Sequence, residues 1–131
     1  MKITTKWKKD HAFESWQDKN SIHIDGDRVS GVSPKSLLLS SLAGCSGIDV
    51  VDILNKMRVE FSDFSMEVET EQTEEHPKVF KDITITYKVH TAPENEDKVK
   101  KAVELSLEKY CGVAEMLRKN SPIHFKIVVH K

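Results

Sequence analysis

The chain has 131 residues, 20 basic and 21 acidic, for a formal net charge of −1. At 38% hydrophobic and 31% charged it has the make-up of one globular domain, and it lacks the basic excess with which nucleic-acid binders grip phosphates. Its two cysteines, Cys45 and Cys111, are too few for a disulfide-stapled scaffold or a cysteine-only zinc site.

The N-terminal run MKITTKWKKDH has no apolar segment of the secretory type, so a cytoplasmic location is expected. Residues 2–8 alternate, with Ile3, Thr5 and Trp7 on one side, which predicts a half-buried strand. A weaker strand is expected over His11 to Gln17. Asn20 to Asp25 reads as a third strand, ended by Asp25-Gly26. Ser33-Pro34 then suits a helix start, with serine as N-cap and proline at the first helical position. The helix predicted over Lys35 to Arg58 is apolar on most faces, the mark of a buried helix. Ser40, Ser41, Ser46, Asp49 and Asp52 interrupt it and argue against a membrane span. Gly44 and Gly47 predict either a bend, a second abutting helix, or a close backbone contact.

Phe64 to Thr70 and Val79 to His90 alternate on either side of Glu74-Glu75-His76-Pro77, which predicts a long antiparallel hairpin. Pro93 opens a second helical region with Val99, Val103, Leu107 and Tyr110 as its apolar stripe. Gly112 leaves one helix or two equally open there. After Pro122, Ile123, Phe125, Ile127 and Val129 form a last strand. The order β-β-β-α-β-β-α-β is an α+β pattern.

A buried cysteine is commonly a small hydrophobe, and either thiol alone would read that way. Here each lies in a helix expected to pack in the core, with glycine beside it or close by. If the two meet, a thiolate at one could be oxidised to a sulfenic acid and condense with the other. Asp49 follows Cys45 by four residues on the same helical face, where it would cap a restarting helix, accept a structural hydrogen bond, or repel a thiolate. The six histidines are scattered without metal-ligand spacing, and no phosphate loop or nucleophile elbow is present.

Ser33 to Cys45, SPKSLLLSSLAGC, resembles the S/N-P-x-x-L-L-x-x-x-x-x-x-C helix of the OsmC/Ohr family. The continuation SGIDVVDIL and the later LSLEKYC resemble a YhfA-like OsmC subgroup and its second-cysteine helix. The resemblance covers essentially the whole chain. It implies an α+β fold with antiparallel sheets around two principal helices, built as an intertwined homodimer. It further implies a peroxidatic Cys45 and a resolving Cys111, an organic hydroperoxide as substrate and a dithiol as reductant. No metal, cofactor, nucleic acid or membrane is implied. The family's peroxidases carry glutamate directly after the proline, where this chain has Lys35. They also use an arginine from the N-terminal strands, whereas the first arginine here is Arg28. Lys35 lies roughly 15 Å along the helix axis from Cys45. That difference motivates an alternative expectation, a non-enzymatic binding protein for an apolar small molecule with structural or redox-sensing cysteines.

Overall fold

The computed structural model describes residues 1–130 and resolves into two compact units, Met1–Leu39 and a second beginning at Ser40. In the first, β1 (Thr4–Lys9), β2 (Ala12–Gln17) and β3 (Asn20–Asp25) form an antiparallel meander in that order. Asp10 and Asp18 take positive φ at 47° and 55° in its tight turns, a conformation aspartate tolerates. The expected half-burial of β1 is not found: all six residues are exposed, and Trp7 is 66% exposed. β1 is an edge strand, and no second layer within this unit covers its apolar side.

The loop after β3 is organised by Asp25, which is itself buried. Its carboxylate accepts the amides of Asp27 at 2.8 Å, Ser30 at 3.0 Å and Val29 at 3.3 Å, and the Ser30 hydroxyl at 3.0 Å. These bonds hold its pKa below the usual carboxylate value. Arg28 sits exposed on this loop with φ 57°.

α1 (Pro34–Lys56) is one continuous helix, so neither glycine splits it. Leu42, Ser46, Val50 and Leu54, four residues apart, form its buried stripe. The rest departs from the expectation of burial all round, with Leu38 47% and Ile48 66% exposed. The close contact expected of the glycines exists at Gly47, where a Cβ would stand 2.8 Å from Met66 Cε, while at Gly44 it would meet nothing within 4 Å. By length and composition α1 could cross a membrane, with a mean hydropathy of 1.7 over a window only 28% buried. Its polar residues Ser46 and Asp49, however, are bonded to other elements of the second unit.

β4 (Ser62–Gln72) and β5 (Phe80–His90) form the expected antiparallel hairpin. β6 (Ile123–His130) corrects the all-antiparallel expectation, because it pairs with β5 in parallel from Ile83↔Ile123 to His90↔His130. A helical crossover between two strands returns the chain to the end it left, and parallel pairing follows. That crossover comprises a 3-10 turn (Pro93–Asn95), α2 (Glu96–Leu105), a π turn (Ser106–Tyr110) and α3 (Gly112–Arg118). Ile83, Ile85, Tyr87 and Val89 on β5 are fully buried, as are Val99, Ala102 and Val103 on α2. Each such valine or isoleucine side chain contributes about 1.5–3 kcal/mol on leaving water.

Candidate thiol site

The second unit brings three polar side chains of different elements together in its core. Ser46 Oγ of α1 shares a 2.6 Å hydrogen bond with Tyr87 OH of β5 and one of 2.8 Å with Ser106 Oγ of the π turn. Ser106 in turn donates to Asp49 Oδ2 at 2.9 Å. Each hydroxyl carries one proton, so the bond to the carboxylate sets the direction of the others: Tyr87 donates to Ser46, Ser46 to Ser106, Ser106 to Asp49. Among the described residues no buried side-chain nitrogen or oxygen is left without a partner. Asp49 thus takes the hydrogen-bonded role; it does not cap a restarted helix, since α1 runs on through it.

The π turn sets Cys111. Its amide donates to the Ser106 carbonyl at 2.7 Å, and its backbone then turns extended, at φ −78° and ψ 103°. There it becomes the N-cap of α3, where Sγ accepts the Ala114 amide at 3.4 Å. Two helices therefore meet at Cys111, joined through this turn. Arg118 reaches back to donate to the Leu107 carbonyl, tying α3 to the π turn.

Cys45 and Cys111 are both free thiols, the first half-buried and the second 3% exposed. Cys45 acts on the Cys111 thiol, so the two cysteines are near neighbours. Burial pushes the Cys111 thiol up to about 11; the Ala114 amide opposes this, while Cys45 and the Asp49 charge add to it. Tyr87 is pushed up to about 12, first by burial, with the Ser46 hydrogen bond opposing and Cys111 and Asp49 adding. Gly44 and Gly112, the glycines beside the thiols, each leave open space where a side chain would stand. On the α1 face that begins at Gly44, the residue before Cys45, a mostly apolar groove of about 360 Å³ is lined by Gly44, Gly47, Ile48, Val51, Asp52, Phe64 and Met66. Among the described residues no group of three or more histidine, cysteine or acidic side chains is placed to hold a metal ion.

Sequence reasoning singled out Cys45, Cys111 and Asp49 but passed over Ser46, Tyr87 and Ser106. The available signal was Ser46 and Asp49, three apart within an apolar helix, because polar groups so placed need buried partners.

Residues 25–126 match the family model described as OsmC-like protein. Protein YhfA of Escherichia coli K12 is 41% identical over 94 residues, covering 72% of this chain and 69% of that protein. A hypothetical protein of Aquifex aeolicus VF5 is 30% identical and superposes with a TM-score of 0.87 over 98% of this chain and 94% of its own. The organic hydroperoxide resistance protein OhrB of Bacillus subtilis shares the fold at 18% identity, with a TM-score of 0.65 over 96% of each chain.

Proposed function

From the OsmC-like family, to which this chain belongs, we propose that the protein is a cytosolic, homodimeric, thiol-dependent reductase of organic hydroperoxides. What supports the reading is the nearness of Cys45 to Cys111, with a mostly apolar groove starting at the adjoining Gly44. In the first step the Cys45 thiolate attacks the peroxide oxygen remote from the organic group. An S–O bond forms, the O–O bond breaks, and the organic alkoxide leaves as an alcohol after taking a proton. Cys45 is then a sulfenic acid. Attack by Cys111 forms the disulfide and releases water. A dithiol reductant restores both thiols by exchange and is itself oxidised to a disulfide. The apolar groove suits a substrate with an organic tail better than hydrogen peroxide.

Following cumene hydroperoxide loss with dithiothreitol as reductant tests this reading. Turnover that vanishes in Cys45→Ser supports it, and turnover unchanged in that variant overturns it.

A second reading is a binding protein for an apolar small molecule, with the thiols structural or redox-sensing. The same groove and Lys35 at the position of the family glutamate favour it. Thiols left reduced after peroxide challenge, with a lipid-like molecule co-purifying by mass spectrometry, would select it.

A further inference from the structure

The buried hydroxyl chain ends on the carboxylate of Asp49, which follows Cys45 by one turn of α1. Packing alone does not call for this, since apolar residues would fill the same space without the cost of desolvating a charge. Ser106 joins both sides of the arrangement: its hydroxyl holds Asp49 at 2.9 Å and its carbonyl holds the Cys111 amide at 2.7 Å. The carboxylate and the backbone that carries the second thiol are therefore positioned by one residue.

We propose that Asp49 takes the proton from the Cys111 thiol as that sulfur attacks an oxidised Cys45, directly or through one water, while Ser106 holds the carboxylate in place. The inference deepens the proposed function and rests on Cys45 and Cys111 closing a disulfide. On a Cys45 sulfenic acid, the Cys111 proton passes to Asp49, the new S–S bond forms as the S–O bond breaks, and Asp49 returns the proton to the departing hydroxide as water. The sulfenic sulfur is reduced and the Cys111 sulfur oxidised, with the hydroperoxide as the original oxidant.

Two features support this assignment. Cys111 is nearly fully buried, and its thiol is held well above neutrality, so at pH 7 it needs a base before it can attack. Asp49 bears a charge that acts on Cys111 and opposes a standing thiolate. When the carboxylate takes the proton, its own charge disappears as the thiolate charge appears, and that repulsion does not build up.

The test separates closure from peroxide chemistry. An aryl disulfide reagent loads the more accessible Cys45 with a thionitrobenzoate group, and release of that group reports attack by Cys111. D49N is expected to slow release about 100-fold, in the range of general acid–base effects, with D49E recovering most of the rate. S106A, which keeps the carboxylate but frees it, is expected to be intermediate and gives a reading if D49N does not fold. Release from D49N at the wild-type rate overturns the proposal, as does D49E as slow as D49N. A wild-type protein that releases nothing overturns both the proposal and the disulfide on which it rests. Closure that depends on Asp49 in a protein that consumes no hydroperoxide supports the proposal and removes only the peroxidase reading.

Discussion

Ser46 and Tyr87 stand 41 residues apart in sequence and share the shortest bond of the buried network, at 2.6 Å. Ser46 is its central member, touching both Tyr87 and Ser106. Replacing it with alanine strands the Tyr87 hydroxyl in the core, and an unpaired buried polar group costs about 1–3 kcal/mol. Tyr87→Phe leaves Ser46 bonded to Ser106 and is expected to cost about 1 kcal/mol, the net worth of an ordinary hydrogen bond. Urea unfolding of the two single variants and the double variant checks this order, with the double variant expected to be no less stable than Ser46→Ala alone.

Stability is expected to fall on the alkaline side in two overlapping stages. Cys111 rises from 9.0 to about 11 on folding and Tyr87 from 10.0 to about 12. A group raised by folding lends stability that is complete below its unfolded value and is lost as pH climbs through its folded value. The loss therefore begins near pH 9 with Cys111 and continues to about 12 with Tyr87. Melting temperatures across this range check it, and Cys111→Ser should delay the onset towards the tyrosine's window.

Asp25 gives the opposite sign. Its pKa is lowered from 3.8, chiefly by the Ser30 and Asp27 amides, so its contribution is present above that value and lost as pH falls through the lowered one. Asp25→Ala should loosen the following loop at neutral pH. Trypsin should then cut after the exposed Arg28 faster than in the wild type; an unchanged rate would show that the carboxylate does not order the loop.

The proposed homodimer predicts a different kind of variant. Ile48 is 66% exposed in the single chain, on the groove with Phe64 and Met66. Ile48→Lys should leave the protomer folded and shift the sedimenting species from dimer to monomer. A wild-type mass for this variant would place any dimer contact elsewhere.

Much of this architecture was legible because alternation and apolar stripes record burial. Asn20 to Asp25 came out with its observed bounds, and the β4–β5 hairpin with its pairing but with β4 short at both ends. What alternation cannot record is the direction of a partner, so β6 was legible as a strand and its parallel pairing was not. Nor does an apolar surface declare what covers it, which is why α1 read as buried while Ile48 stands open. Tyr87 was hidden by its own regularity. It falls in step with Ile83, Ile85 and Val89 as core filler, and nothing in that pattern points to the hydroxyl.

The turn before Cys111 carries its information as a count. An α-helical residue advances about 100° around the axis, and the bond from Cys111 to Ser106 spans five residues where an α-helix would span four. The one additional residue acts as a phase shift, letting Ser106 address Asp49 while Cys111 addresses Cys45. A deletion anywhere in Leu107–Tyr110 would preserve both cysteines, the carboxylate and every hydroxyl of the network, yet turn the second sulfur away from the first.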